Sequence, residues 1–176
     1  MLHLDTWVAF DFYKSFLHWY CTWYEPRYLE VGCLGGDLVA SLRTKLAVGI
    51  DINTHPDWAI YLSKAEPGTK EFHQCTSNEF FAKDTRQWDL IFIDGDHSAT
   101  QVRTDVVNSL GRLAEGGLIC MHDTLPPTPS DATPDKCGTA YKIRQDLEVM
   151  HGIQTYTFPV TFGLTLVAPI GREWPW

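Results

Sequence analysis

The side chains of this chain able to do chemistry come in short clusters, each at the end of an apolar run: Glu30-Val31-Gly32, Asp51, Thr76-Ser77, Asp94-Gly95-Asp96-His97 and His122-Asp123. Five acids and two histidines are among them. Carboxylates can accept the paired hydroxyls of a ribose, and an imidazole can exchange a proton near neutral pH. The first cluster continues as Cys33-Leu34-Gly35-Gly36, with glycines at 32, 35 and 36. That spacing fails the G-x-G-x-x-G cradle of a dinucleotide, so no pyrophosphate site is indicated. Asp51 ends the next run roughly 20 residues further on, where an acid holds a ribose in nucleoside-binding sheets. Together they predict a cofactor with a nucleoside but without a cradled diphosphate. The plainer role for Glu30 and Asp51 is to stabilise the N-termini of the helices that follow. Cys33 has no adjacent base and is not read as a nucleophile.

These clusters need a scaffold that gathers strand ends. An aromatic helix lies within residues 7 to 28, with Phe12, Phe16, Trp19 and Trp23 at helical spacing and Pro26 closing it. A strand Arg27 to Gly32 follows, then a helix opened by Gly35-Gly36, with Leu38, Val39, Leu42 and Leu46 on one face. Further strands are predicted at Leu46 to Ile52, Glu71 to Cys75, Trp88 to Ile93 and Leu118 to Met121. Helices separate them, at about Thr54 to Lys64, at Asn78 to Lys83 capped by Ser77, and after the Ser98–Gln101 capping-box pair as far as Gly116-Gly117. Residues 125 to 137 carry four prolines and read as a surface excursion, placed to be a lid or a mere connector. A last helix bears Ala140, Ile143, Leu147 and Met150.

Gln154 to Val160 and Leu164 to Ile170 are separated by only Thr161-Phe162-Gly163. Parallel strands need a crossover of about a dozen residues, so this pair must be an antiparallel hairpin. The fold class is therefore α/β, a doubly wound, mostly parallel seven-stranded sheet with a C-terminal antiparallel hairpin, formed by residues 1–176 as a single domain. Ligands of such sheets bind at the carboxyl ends of the strands, where all five clusters fall.

Composition narrows the partners. The 176 residues carry 14 Lys+Arg against 22 Asp+Glu, a net charge of −8, with no basic cluster. Nucleic acid and an anionic membrane surface are disfavoured as partners. Five cysteines without a C-x-x-C pair suggest a reducing cytoplasm and neither a disulfide framework nor a zinc site. No signal peptide and no membrane-spanning stretch is expected.

The Glu30/Gly32/Gly36 turn, Val48-Gly49-Ile50-Asp51, Thr76 to Phe81 and the terminal hairpin resemble the class I S-adenosylmethionine-dependent methyltransferases, which share a Rossmann-like fold. Phe92 to Ser98, Gly116-Gly117 and His122-Asp123-Thr124 are similar to their small-molecule O-methyltransferase branch, which includes catechol, caffeoyl-CoA and macrolide-sugar enzymes. The resemblance runs from about Tyr28 to Pro169. It implies S-adenosylmethionine as cofactor and a small hydroxylated molecule as acceptor. Glu30, Gly32 and Gly36 would form the cofactor turn, with Gly32 at the methionine end. Asp51 would hold the ribose, Ile52 would pack on the adenine, Ser77 would lie near its edge, Thr76 would also bind the cofactor, and Asp94 would lie near the amino group.

The same resemblance implies a divalent metal on Asp94 and Asp123, with His122 as a further ligand, and His97 as general base. The chain departs from the branch twice. Thr124 stands where the catechol type has Asn, and His122 stands where the macrolide-sugar type has a carboxylate. Three readings follow: a metal-assisted enzyme, a metal-independent enzyme using His97 alone, and a binding module for the cofactor without catalysis. A nicotinamide-dependent oxidoreductase is disfavoured by the failed cradle and the hairpin. Asp96 is left open between metal, acceptor and solvent. The aromatic helix is read as core or as a homodimer contact.

Overall fold

A computed structural model describes residues 12–175. The first part of the expected aromatic helix, residues 7–11, lies outside the described residues. From Phe12 to Tyr24 the helix (α1) forms as expected, burying Phe12, Phe16, Leu17, Tyr20 and Cys21 on one side. Strands and helices then alternate: β1 (Arg27–Val31), α2 (Asp37–Ser41), β2 (Leu46–Asp51), α3 (Asp57–Lys64), β3 (Lys70–Gln74), α4 (Ser77–Lys83), β4 (Trp88–Ile93), α5 (Ala99–Arg112) and β5 (Leu113–Met121). A 3-10 turn at Pro129–Asp131 sits in the proline-rich excursion. Helix α6 (Ala140–Glu148), β6 (Ile153–Phe158) and β7 (Leu164–Pro169) complete the described chain.

The seven strands form one sheet in the order β3-β2-β1-β4-β5-β7-β6. The first five are parallel, and β7 runs antiparallel to both β5 and β6. Both faces are covered. Tyr28, Leu90, Phe92, Leu118 and Cys120 point to a layer with α1 and α2, while Leu29, Val31, Ile91, Ile93 and Ile119 point to a layer with α4, α5 and α6. Burial on both faces is why these strands read as nearly continuous apolar runs.

From β1 the chain winds outward through β2 to β3, then returns to lay β4 against the other side of β1. That reversal opens a crevice at the carboxyl ends of β1 and β4. Val31 and Ile93 are paired in register, so Gly32 and Asp94 leave the sheet side by side.

Several boundaries differ from the sequence expectation. Helix α2 spans only five residues, and Leu46 belongs to β2 rather than to its apolar face. Thr76, not Ser77, caps α4: its hydroxyl accepts the Glu79 N–H while the Glu79 carboxylate accepts the Thr76 N–H, a reciprocal box. The Ser98 hydroxyl accepts the Gln101 N–H at 3.4 Å, but the Gln101 amide turns to Ser77, Asn78 and Asp105 instead of back to the cap. Gly116-Gly117 does not stop α5. The helix ends at Arg112, and both glycines lie in β5, beside a register shift against β4.

Candidate active site

The crevice widens into a cleft of about 1060 Å³ that runs from Asp51 and Ile52 past Asp94 to His122 and Asp123. Its floor is Gly32. A Cβ there would lie 2.4 Å from the Gly95 Cα and 2.5 Å from the Asp94 carbonyl, and the residue has φ 87°. Only glycine lets the loops after β1 and β4 come this close.

Asp51 organises the glycine turn at one end. One carboxylate oxygen accepts the Leu34 N–H and the other accepts the Asn53 N–H, each at 2.9 Å. The Leu34 carbonyl in turn accepts the Trp58 indole N–H at 2.9 Å. Ile52, 66% exposed, presents its side chain at the cleft wall. Thr76 and Ser77 line the same end, and the Ser77 hydroxyl accepts from the Gln101 amide at 3.1 Å.

Glu30 and Gly36 are not part of this wall. Residues 28 and 30 share one face of β1, so Glu30 is turned into the α1 layer, where it accepts the Tyr28 hydroxyl at 3.0 Å. Burial pushes its carboxyl up to about 8, against the opposing pull of the Tyr28 bond. Gly36 caps α2, and the space its side chain would need is filled by the Phe72 ring. The strand's alternation and packing against Phe72 thus set these two residues behind the cleft lining.

At the other end Asp94, His97, His122 and Asp123 form one cluster. His97 Nε2 lies 3.2 Å from Asp123 Oδ2 and 3.7 Å from Asp94 Oδ1. Its Nδ1 meets the Lys136 carbonyl, which only an Nδ1–H can satisfy. His122 Nδ1 lies 3.3 Å from Asp94 Oδ1 and 3.5 Å from Asp123 Oδ1, and its Nε2 lies 3.1 Å from the Thr161 carbonyl. Like those of His97, both His122 nitrogens thus face acceptors, an arrangement that favours the imidazolium. Burial lowers its pKa, but the bonds and charges of Asp123 and Asp94 outweigh that and lift it to about 10. His97 is raised as well, chiefly by its Asp94 bond, with burial opposing. Burial works to raise Asp94, yet the two histidines hold its carboxyl below the usual range.

This geometry brings His97 to the expected ligands Asp94 and Asp123. Asp94, His97 and Asp123 each offer an atom within 4.8 Å of the others, and these three could hold one divalent ion. His122 is not one of these three, although its Nδ1 faces the same two carboxylates. Nor does Thr124 replace the missing Asn, since it is fully buried and its hydroxyl bonds Thr165 at 2.7 Å. Two carboxylates and an imidazole suit Mn²⁺, Fe²⁺ or Zn²⁺ better than Mg²⁺. Asp96 lines the cleft and spends one oxygen on the Ser98 N–H at 2.6 Å.

Sequence reasoning missed the contributions of Lys136, Asp105 and Phe162. Lys136 acts through its carbonyl, which no residue type signals. Asp105 lines the cleft from within α5, bonded to Gln101 at 2.9 Å, and burial raises its carboxyl. Its signal was readable, an acid beside Val102 and Val106 on the helix face that packs on the sheet. Phe162 lies in a three-residue turn that gives no periodicity to read.

The sheet order and the cleft at its switch point define a Rossmann-like methyltransferase fold. The chain belongs to the methyltransferase-domain family, whose profile matches residues 29–124, more than half of its length. No curated protein matches it significantly. Among solved structures it is similar to a putative caffeoyl-CoA O-methyltransferase from Staphylococcus aureus, at 14% identity and a TM-score of 0.74, covering 92% of this chain and 85% of that one. An O-methyltransferase from Bacillus cereus in complex with SAH is 14% identical with a TM-score of 0.66, over 93% and 83%. A Streptomyces achromogenes O-methyltransferase of tomaymycin synthesis, in complex with SAM, is 17% identical with a TM-score of 0.63, over 96% and 84%. At these identities the likeness speaks for the fold.

Proposed function

We propose that this methyltransferase uses S-adenosylmethionine to methylate a hydroxyl group of a small molecule, with His97 as general base. The observation that carries the reading is the His97 arrangement: Nδ1 is tied to the Lys136 carbonyl, and Nε2 faces Asp123 and Asp94 inside the cleft. The cofactor would supply a methyl group already activated on a sulfonium. The protein then has to align the acceptor oxygen and remove its proton. Asp51 is assigned to the ribose, Ile52 to the adenine face, Thr76 and Ser77 to its edge, and Gly32 and Asp94 to the methionine end. The solved neighbours that hold SAH or SAM in this fold support that assignment. His97 Nε2 takes the hydroxyl proton, and the carboxylates of Asp123 and Asp94 stabilise the imidazolium that results.

A second reading rests on the Asp94, His97 and Asp123 group, which would hold a divalent ion that lowers the pKa of the acceptor hydroxyl. The two are exclusive, because an ion held by all three takes the Nε2 lone pair that a base needs. The charge of −8 supports an acceptor that is not a nucleic acid, and the unpaired thiols support a reducing, cytoplasmic setting. Among the described residues no helix is long and apolar enough to cross a membrane. A homodimer contact through α1 is supported by Trp23, 73% exposed, and would be lost in Trp23→Glu on size-exclusion chromatography.

The deciding experiment is calorimetry with S-adenosylhomocysteine in EDTA and then with excess Mn²⁺. Binding in EDTA is the expected result. Absence of binding in both buffers refutes the cofactor, and binding only with Mn²⁺ moves the assignment to the metal-assisted form.

A further inference from the structure

The proline-rich segment lies beside the site without a part in the chemistry proposed above, and its sequence fits a lid as well as a connector. A lid moves through φ/ψ changes at a few hinge residues. Residues 125–137 hold four prolines and no glycine, so few of their φ angles are free to change.

The segment is also closed on itself, and its bonds meet at Asp131. One carboxylate oxygen accepts from the Lys136 ammonium at 2.8 Å, and the other accepts the Thr128 hydroxyl at 2.6 Å. The Asp131 N–H donates to the Thr128 carbonyl at 3.0 Å, and the Asp131 carbonyl accepts the Cys137 N–H at 3.0 Å. The Thr133 carbonyl accepts the N–H groups of Lys136 and Gly138, at 3.0 Å and 2.9 Å. An ion pair with the exposed Lys136 would contribute little on its own. Bonds to both carboxylate oxygens and to both backbone groups of one residue define a single loop conformation.

Asp131 thereby fixes the two residues that grip the site. Lys136 sets its carbonyl on His97 Nδ1, and the buried Cys137 thiol donates to Asp123 Oδ1 at 3.6 Å. One segment thus holds both partners of the His97–Asp123 pair, one through a carbonyl and the other through a thiol. Its far end is anchored as well, where the Ala99 N–H donates to the Thr139 hydroxyl at 2.7 Å.

We infer that Asp131 is a positioning residue, which makes the proline-rich segment a fixed brace for His97 and Asp123 and not a lid that closes on the cofactor. The meaning of the brace for proton transfer rests on the methyltransferase reading above. The wall of the cleft is then formed before any ligand enters.

The test uses the full chain as wild type, Asp131→Ala and Asp131→Asn, with S-adenosylhomocysteine as probe. Two readouts are taken at one fixed pH: amide hydrogen exchange of residues 128–139, and the proton NMR signal of the His97 Nδ1–H, assigned by its absence in His97→Gln. In wild type the imidazole signal should be present without ligand, and saturating S-adenosylhomocysteine should change exchange in the segment by less than about twofold. Asp131→Ala should raise that exchange at least about tenfold and lose the imidazole signal, while calorimetry finds S-adenosylhomocysteine affinity within about twofold of wild type. Asp131→Asn keeps one acceptor oxygen and should retain the signal; if Asp131→Ala does not fold, Asp131→Asn is read for raised exchange instead. Protection of the segment by S-adenosylhomocysteine beyond about twofold overturns the inference, because it makes the segment a lid. An imidazole signal that persists in Asp131→Ala, or exchange in Asp131→Asn no faster than in wild type, also overturns it. Failure of S-adenosylhomocysteine to bind wild type overturns the methyltransferase reading alone, and the exchange and imidazole readouts of the variants still decide the brace.

Discussion

His97 Nε2 lies 3.2 Å from Asp123 Oδ2, joining the loop after β4 to the loop after β5. Sheet register brings the two loops together: Ile93 is paired with Met121, and the His122 N–H continues the ladder to the Ile93 carbonyl at 3.1 Å. Asp123 then takes φ 57°, which turns its carboxylate back toward His97. A base on one strand end and the carboxylate that stabilises its charged form on the next are thus set by backbone pairing. The proton chemistry of the proposed reaction depends on this relationship.

Removing the base tests it first. His97→Ala should lower kcat/KM by about 10²–10⁴-fold with any accepted hydroxyl compound, the usual reach of general base catalysis. Because Asp94, the Lys136 carbonyl and Asp123 together raise the His97 pKa, the free base appears only on the alkaline side of 6.5. Activity should therefore climb with pH through an apparent pKa above 6.5 and then level off. A profile flat from about pH 5 to 9 would refute the role.

His122 should show itself in stability rather than rate. Its folded pKa, about 10, lies above the unfolded value near 6.5, so the protonated ring stabilises the fold. The stabilisation is complete below about pH 6.5 and is lost as pH rises toward 10. Each unit of difference is worth about 1.4 kcal/mol at most. Thermal unfolding of wild type should thus lose more Tm between pH 6.5 and 10 than that of His122→Gln, which has no charge to lose. Parallel curves would remove the ion pairs with Asp94 and Asp123 from the account.

Asp51 ties the glycine turn to Asn53 and faces the cleft. Asp51→Ala should weaken S-adenosylhomocysteine binding at least tenfold, about 1.4 kcal/mol, through loss of charge-assisted bonds. Asp51→Asn keeps one acceptor oxygen and should fall between the two. Calorimetry reads both, and an unchanged affinity in Asp51→Ala would exclude the ribose assignment.

Gly138 sets the position of His97 from outside the cleft. It has φ 53°, and a Cβ there would stand 2.5 Å from the His97 carbonyl and 2.8 Å from its Cβ. Thr139 adds a bond from its N–H to the His97 carbonyl at 2.8 Å. Gly138→Ala should therefore displace the imidazole and cut kcat by roughly tenfold or more, as misplacement of a reacting group does. Cofactor affinity should stay within about twofold, since Asp51, Ile52 and Thr76 are untouched. Equal losses in kcat and cofactor binding would point to general unfolding of the segment.

Much of this molecule can be read along the chain. Apolar runs such as Trp88 to Ile93 encode strands buried on both faces, and the three residues between the last two runs require an antiparallel hairpin. Short-range sterics and side-chain alternation act within a few residues, so they leave a record in the order of residue types. The same logic puts Asp51, Asp94 and Asp123 at strand ends, and those ends at one edge of the sheet. The inward direction of Glu30 is legible from alternation too, because it shares a face with Tyr28.

What tertiary structure decided is which atoms meet. His97 Nε2 and His122 Nδ1 both reach Asp94 and Asp123, because the Lys136 and Thr161 carbonyls each take the other nitrogen of one ring. The His97 tautomer follows from the Lys136 carbonyl, in a segment without periodicity. These partners are backbone groups, present at every position and so without a signature in sequence. Their placement follows from closing loops far apart in the chain onto one sheet edge, where a shift of about 1 Å separates a hydrogen bond from none.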